Sequence, residues 1–300
     1  METKRAPVNG RGDAGPIQWS GYAFIAAFVL PFLAFNVAPV LFGVYVSFTE
    51  WSIIGDPVWV GLANYQEAMR DPFLRMAFVN ILLYALIIVP GVVVLGLLFA
   101  LYVNQDWPLS ALCRTILFAP NVVSATVIGL VWVWVLDTQF GVLNHYLGVL
   151  GISEIPWLTS TRWSLIGVSM ASIWWDLGLG FVLLLAALQE VPKELYDAAE
   201  LDGAGRLAQL RYITLPHIRP TLSMVVTLQL ISTMRIFSQV YVMTSGGPAG
   251  SSLSVIVHVY QTAIVRNLLG YSAAVSVILF FAVLAVTFLQ RLALREQANA

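Results

Sequence analysis

The segment Val191–Pro216 reads VPKELYDAAELDGAGRLAQLRYITLP and has the strongest local pattern in the chain. Pro192 suits the first turn of a helix, because the N–H group that proline lacks has no partner at that position. Residues 193–202 favour helix, and Gly203 is able to end it. A second short helix is expected to run to Tyr212. The segment therefore predicts two short helices joined at a glycine.

The first of these short helices is predicted to be amphipathic. Leu195, Ala198, Ala199 and Leu201 lie roughly on one side of it, which is the apolar side. A helix with one apolar side packs that side against a membrane surface or another protein. The side chains of the two alanines are small, which lets the backbone of another protein approach closely.

The chain around this segment is strongly apolar. It has 300 residues, of which 59% are hydrophobic and 10% are charged, and its mean hydropathy is +0.83. Soluble domains carry about 25% charged residues. A nucleic-acid-binding protein would require an excess of basic residues. Here 15 Lys and Arg residues stand against 16 Asp and Glu residues. Composition therefore excludes a soluble enzyme, a disordered protein and a nucleic-acid binder, and it predicts a polytopic protein embedded in membrane lipids.

Uncharged stretches of about 20 residues or more mark the predicted membrane spans. The six spans predicted in this way cover about 22–48, 77–103, 115–136, 163–189, 221–243 and 271–290. The predicted fold class is therefore all-α, with six transmembrane helices and a helix–Gly–helix loop at 192–216. Residues 1–18 are polar and are predicted to be a disordered cytoplasmic tail, and residues 19–296 are predicted to form a single transmembrane domain.

The distribution of basic residues predicts the orientation in the membrane. With a cytoplasmic N-terminus, the inner loops and tails hold ten basic residues and the outer loops hold four. Inner loops of membrane proteins are enriched in Lys and Arg. Both termini and the 192–216 loop are therefore predicted to lie in the cytoplasm.

The 192–216 loop resembles the EAA loop of ABC importer permeases, which reads Glu-Ala-Ala, three residues, Gly, nine residues, Ile, one residue, Leu-Pro. The positions that match are Asp197, Ala198, Ala199, Gly203, Ile213, Leu215 and Pro216, with Asp197 in place of the usual Glu. Residues 48–51 (FTEW), 60–65 (VGLANY) and 244–248 (TSGGP) are similar to stretches of carbohydrate-importer permeases of the maltose and glycerol-3-phosphate type.

The resemblance implies a permease subunit of the bacterial inner membrane that carries a sugar, an oligosaccharide or a related solute. Its implied partners are a second and distinct permease chain, two ATPase subunits that bind ATP and Mg²⁺, and an extracytoplasmic solute-binding protein. The outer segment 244–270 is expected to help to meet that binding protein. The residues implied to dock onto the ATPase are Asp197, Ala198, Ala199, Leu201, Asp202 and Gly203.

Two ionisable residues lie inside predicted spans. Asp176 follows Trp175, and this pair suits a sugar, because a carboxylate accepts hydroxyl hydrogen bonds and an indole stacks on a sugar ring. The alternative is that Asp176 is a structural partner for another helix. Arg235 could pair with Asp176 or bind an acidic solute. The resemblance places the substrate contacts at Ser172, Trp175, Asp176, Leu179, Gln229, Thr233 and Ile236.

The sequence lacks the motifs of an ATP-binding or catalytic chain. Neither of its lysines is followed by Ser or Thr, so it has no Walker A loop. The three histidines are scattered and are expected to lie in loops. Together with the single cysteine, they predict neither a metal site nor catalytic residues. The alternative is a stand-alone secondary transporter or channel, but such proteins show inverted repeats or several ionisable groups in their spans. The sequence shows no internal repeat.

Overall fold

The computed structural model describes residues 19–52, 54–105 and 108–296, so the predicted tail 1–18 lies outside the described residues. The chain divides into two compact units between Tyr45 and Val46. The first unit holds α1 (Trp19–Phe32), a π-helical turn (Leu33–Val37) and α2 (Ala38–Val46) up to its last residue. Together these form an apolar helical stretch, Ile25–Val46, that is long enough to cross a membrane.

The second unit is mostly helical. Its helices are α3 (Ala63–Arg70), α4 (Pro72–Val103), α5 (Ser110–Val122), α6 (Ala125–Val135), α7 (Val142–Val149), α8 (Ser164–Gln189), α9 (Lys193–Leu201), α10 (Arg206–Gln209), α11 (Leu215–Met234), α12 (Ser238–Thr244), α13 (Val255–Tyr260) and α14 (Leu269–Glu296). Two further π-helical turns, Leu210–Thr214 and Gln261–Val265, follow α10 and α13.

A short hairpin departs from the all-α prediction. Strands β1 (Thr49–Glu50) and β2 (Val58–Trp59) pair antiparallel, with Thr49 opposite Trp59. The Asn64 side chain donates hydrogen bonds of 2.9 Å to the carbonyl oxygens of Ser47 and Thr49. The prediction missed this hairpin because strands of two residues are too short to show an alternating pattern.

The described residues contain four helical stretches that are long and apolar enough to cross a membrane, or up to six if each of two bent pairs is one span. The count of six stays a prediction. The third predicted span, 115–136, is divided into α5 and α6, which meet at an angle of 103°. Between them Val123 is extended, with φ −82° and ψ 144°, and Ser124 caps α6 by accepting a hydrogen bond from the Val127 N–H.

The fifth predicted span also differs from a simple helix. The second short helix does not end at Tyr212, because the π-helical turn Leu210–Thr214 joins α10 directly to α11. The resulting helix then breaks at Arg235, and α12 continues at an angle of 45°. The side chains before and after the break are therefore not arranged along one continuous helix.

Helix α8 lies at the centre of the second unit and contacts α4, α5, α6, α11 and α12. Its inward residues, such as Val168, Phe181 and Leu184, are fully buried. At Gly178 a Cβ atom would lie 3.0 Å from the Leu117 carbonyl oxygen of α5. The glycine therefore allows two backbones to approach closely, which fixes the position of α8 against α5.

The three histidines lie in helices rather than in loops, contrary to the sequence prediction. His258, on α13, is almost completely buried, and its Nε2 lies 3.0 Å from Asp71 Oδ2. This contact joins α13 to the residue that caps the start of α4. The Tyr271 hydroxyl donates a hydrogen bond of 2.6 Å to the same oxygen. These three residues connect α13 and α14 to the start of α4.

Acidification is expected to destabilise this cluster. Burial raises the pKa of the Asp71 carboxyl, but hydrogen bonds from Tyr271 and from the Phe73 and Leu74 N–H groups outweigh burial and lower the pKa. Burial lowers the pKa of His258, and the Arg266 charge adds to that effect against the opposing effect of Asp71. Both groups therefore bind protons less readily in the folded state.

The stability contributed by His258 is present above its ordinary pKa of about 6.5 and is lost below it, and the Asp71 contribution is lost below about 3.9. When the pH is lowered from about 7.5 to about 5, we expect the thermal unfolding midpoint of the purified protein to decrease. The decrease should be about 3 °C for each kcal/mol of stability that is lost. His258→Gln should reduce this dependence, and His145→Gln, at an exposed position, should not. An equal pH dependence in wild type and His258→Gln would contradict the assignment.

Candidate functional site

A cavity of about 430 Å³ lies where α4, α6, α8, α11 and α12 meet. Its volume lies in the range of small-molecule sites. It has both an apolar and a polar lining. The apolar lining is Ile88, Ala125, Leu228, Ile231, Ile236 and Phe237. The lining residues with a polar group are Trp175, Asp176, Ser232, Thr233, Arg235, Ser238 and Gln239.

Asp176 lies in the middle of α8 and is joined to α11. The Gln229 amide donates a hydrogen bond of 2.7 Å to Asp176 Oδ2. A carboxylate near the centre of a bilayer costs about 2.5–3.5 kcal/mol on insertion scales, so such groups face a polar interior. The amide and the cavity together provide that polar surrounding, and Asp176 retains acceptor sites for a bound molecule.

Trp175 is held in place by the break between α5 and α6. Its indole Nε1 donates a hydrogen bond of 2.9 Å to the Val123 carbonyl oxygen, which α5 leaves free at its end. The Asn121 amide donates to the Trp175 backbone oxygen at 3.3 Å. The polar edge of the indole is thus occupied within the chain, so that its contribution to the cavity is its aromatic surface.

The structure brings four of the seven expected substrate residues to the cavity lining, namely Trp175, Asp176, Thr233 and Ile236. Gln229 reaches the site through its hydrogen bond to Asp176. Ser172 is buried, and its hydroxyl donates to the Val168 carbonyl oxygen at 2.9 Å. Leu179 is exposed and is not part of the lining.

Other lining residues come from the break between α11 and α12. Arg235 ends α11, and Phe237 and Ser238 begin the next segment in a new direction. Gln229, Thr233 and Ile236 are spaced at four and seven residues, as on one face of a continuous helix. This spacing could not indicate residues that lie beyond a break in the helix. The one sequence signal at this point was the presence of an arginine inside an apolar stretch.

A second candidate site is the loop formed by α9, Gly203 and α10. Gly203 has a φ of +78°, and its N–H donates to the Glu200 carbonyl oxygen at 3.0 Å. The Ala204 N–H donates to the Ala199 carbonyl oxygen at 2.8 Å. This pair of bonds is the Schellman arrangement, in which a glycine in the left-handed region ends a helix. The predicted helix–Gly–helix geometry is therefore present.

The outward surface of this loop carries both charged and apolar side chains. Asp197, Ala198 and Asp202 are exposed, and Ala199 is half-buried. Leu201 is 90% exposed. The other side of α9 is fixed by a hydrogen bond of 2.9 Å between the Tyr196 and Thr214 hydroxyls. The loop is thus anchored to the start of α11 and presents an accessible face.

The described ranges contain no group of three or more His, Cys, Asp or Glu side chains that could hold a metal ion. A polar cavity between apolar helices is a feature that many transport proteins share. Comparison with known proteins identifies the class more closely. Residues 92–296 match the family of binding-protein-dependent transport system inner membrane components. The chain belongs to this family: it is a membrane-embedded permease subunit of an ABC importer and not an enzyme.

Individual relatives agree with this assignment. The chain is 31% identical over 276 residues to the probable ABC transporter permease protein YurN of Bacillus subtilis (strain 168), covering 90% of this chain and 94% of that relative. It is 32% identical over 253 residues to the sulfoquinovosyl glycerol transport system permease protein SmoG of Agrobacterium fabrum (strain C58), covering 84% and 82%.

The fold is also similar to that of a solved importer structure. The match is to a chain of a bacterial ABC transporter involved in the import of the acidic polysaccharide alginate, with a TM-score of 0.80 and 21% sequence identity. It covers 93% of this chain and 96% of that chain. The similarity therefore extends over nearly the whole chain.

Proposed function

We propose that this chain forms the membrane pathway for a sugar or oligosaccharide, which binds in the cavity between α8, α11 and α12. The observation that carries this proposal is the Asp176 carboxylate, held by Gln229 inside an apolar unit and next to the aromatic surface of Trp175. The carboxylate suits sugar hydroxyls, and the aromatic surface suits the apolar face of a sugar ring. Two similar transporters are named for sugar-containing solutes, sulfoquinovosyl glycerol and alginate.

The expected substrate contacts are proposed on this basis. Trp175, Asp176, Thr233 and Ile236 would touch the solute directly, and Gln229 would hold Asp176. Ser172 and Leu179 remain expected contacts, and they would need a change in the packing of α8 to reach a solute in this cavity. Such a change is compatible with a transporter that alternates between two states.

We also propose that the loop at 192–216 docks onto a cytoplasmic ATPase subunit. Leu201 supports this assignment, because an almost fully exposed leucine on a charged loop is suited to burial against a partner. The exposed Asp197 and Asp202 carboxylates would pair with basic groups of that partner. Ala198 and Ala199 would let the two backbones approach, and Gly203 would set the turn.

The proposed assembly places six spans in the bacterial inner membrane, with both termini in the cytoplasm. It contains a second and distinct permease chain, two ATPase subunits that bind ATP and Mg²⁺, and an outer solute-binding protein. The description of the family as binding-protein-dependent supports the last of these partners. In the outer segment 244–270, Ser245 and Ala249 are exposed, and they are the positions we expect to meet the solute-binding protein.

Purification from the native host tests this assembly. After extraction in a mild detergent, we expect a Walker-motif ATPase and a second multi-span permease to co-purify with this chain in stoichiometric amounts, identified by mass spectrometry. Candidate sugars with the solute-binding protein should raise the ATPase activity of the complex. A chain that purifies alone, with no ATPase subunit under several detergents, would contradict the proposed assembly.

A further inference from the structure

The α12–α13 loop, residues 245–254, is held by two side chains of α4. The Asn80 amide donates two hydrogen bonds to the loop, of 2.8 and 3.0 Å, and the Tyr84 hydroxyl donates one of 2.9 Å. The acceptors are the carbonyl oxygens of Gly250, Leu253 and Ser252. Asn80 and Tyr84 are four residues apart, so they lie on the same face of α4, and both are buried.

Asn80 and Tyr84 are polar residues within a helix that is otherwise apolar and long enough to cross a membrane. A polar group buried in such a helix costs free energy unless it forms its hydrogen bonds. The loop residues form turns rather than a helix or a strand, so their buried carbonyl groups need partners from elsewhere in the chain. The two side chains supply these partners and thereby fix the loop to α4.

The same loop contacts two further helices that line the cavity. The Ser251 hydroxyl lies 2.8 Å from the hydroxyl of Ser164, the first residue of α8. The Ser254 hydroxyl donates a hydrogen bond of 2.8 Å to the carbonyl oxygen of Ile236, which lines the cavity beside the break between α11 and α12. Helix α4 reaches the cavity at Ile88, one helical turn beyond its tyrosine. The loop therefore connects three parts of the cavity wall.

Other residues of the α12–α13 loop are accessible. Ser245 and Ala249 are exposed, whereas Ser252 is completely buried. In the proposed orientation the loop lies on the outer side of the membrane, where the exposed residues are expected to meet a solute-binding protein. The loop then lies between the proposed docking surface and the helices of the cavity.

We propose that Asn80 and Tyr84 are positioning residues, through which docking of the solute-binding protein on the α12–α13 loop moves α4 and the adjoining wall of the cavity. Networks of buried hydrogen bonds between packed elements carry such coupling. The inference rests on the proposed function, in which a solute-binding protein meets the outer segment 244–270. It goes beyond that function because it assigns the coupling to two buried side chains that touch neither the solute nor the binding protein.

Stimulation of the ATPase activity by the solute-binding protein tests the inference. The complete membrane complex in liposomes is measured alone and with a saturating amount of the binding protein, isolated from the native host with the solute that it carries. In Tyr84→Phe and Asn80→Leu, we expect the stimulation to fall by at least about fivefold, the lower end of coupling between sites, and the unstimulated activity to stay within about twofold of the wild type. Tyr84→Phe removes a single oxygen atom, so it carries the test if Asn80→Leu does not assemble.

Tyr271→Phe is the matched control. It also removes a buried tyrosine hydroxyl, but the hydrogen bond of 2.6 Å that is lost goes to Asp71 and not to the loop. Its stimulation for each assembled complex should equal that of the wild type. A purely structural role of Tyr84 would lower the thermal unfolding midpoint of Tyr84→Phe and leave its stimulation unchanged.

Wild-type stimulation in Tyr84→Phe, or an equal loss of stimulation in Tyr271→Phe, would overturn the inference and leave the proposed function intact. A wild-type complex that the loaded binding protein does not stimulate would contradict the proposed assembly, and this inference with it.

Discussion

Replacement of Gly203 by valine is expected to reduce ATP-driven uptake by about 100-fold or more while the chain still inserts into the membrane. Gly203 has a φ of +78°, and a β-branched residue in that region is a severe outlier. The hydrogen bonds that end α9 depend on this conformation. Their loss should displace the surface proposed to meet the ATPase. Uptake into membrane vesicles, together with the amount of inserted chain, measures the effect.

Two control variants separate backbone strain from added bulk. Gly203→Asn adds a side chain that tolerates the left-handed region and should retain most of the uptake. Gly205→Val adds the same bulk as the test variant two residues later, where φ is −72° and ψ is 167°, a conformation open to any residue. It should transport nearly as well as the wild type. Normal uptake by Gly203→Val would contradict the role assigned to the loop.

Replacement of Asp176 by alanine should reduce sugar uptake by about 10- to 100-fold. It removes a charged acceptor whose hydrogen bonds to a solute are each worth about 1.5–3 kcal/mol, and about 1.4 kcal/mol corresponds to a factor of ten. It also releases the Gln229 amide into the cavity. Asp176→Asn keeps one acceptor oxygen, so its rate of uptake should lie between those of the wild type and Asp176→Ala. Initial rates of uptake at several sugar concentrations measure the loss.

Ser169→Ala is the matched control for this experiment. Ser169 lies about two helical turns from Asp176 on α8, and its buried hydroxyl donates to the Leu165 carbonyl oxygen at 2.8 Å. Because Ser169 does not line the cavity, uptake by this variant should stay within about twofold of the wild type. A large loss in Ser169→Ala with little change in Asp176→Ala would show that the solute binds elsewhere on α8.

Much of the helical architecture could be predicted from the distribution of charges. The helices α4 and α8 end within a few residues of the predicted bounds, because charged or capping residues lie where their apolar stretches stop. The divided spans could not be predicted from composition. Their apolar stretches continue through the breaks, and between α5 and α6 the chain direction is set locally by the extended residues Val123 and Ser124.

The candidate site was predictable in its residue types more than in its geometry. Asp176 and Trp175 were indicated because a charged residue inside an apolar stretch is unusual and costly. Ser172 and Leu179 lie at helical spacing on the same face as Asp176, and the resemblance also implied them, but packing against neighbouring helices determines which part of a face lines a cavity. The contact between Asp71 and Tyr271 joins residues 200 positions apart, and no local pattern could have indicated it.

Reconstitution of the purified complex into liposomes tests the central claim most directly. The vesicles carry ATP on the side of the 192–216 loop and receive the solute-binding protein with a radiolabelled sugar on the other side. Our account predicts uptake that requires ATP, the ATPase subunits and the binding protein together, and that is lost in Gly203→Val. Uptake by this chain alone, without ATP and driven by an ion gradient, would contradict the account and would identify a secondary transporter.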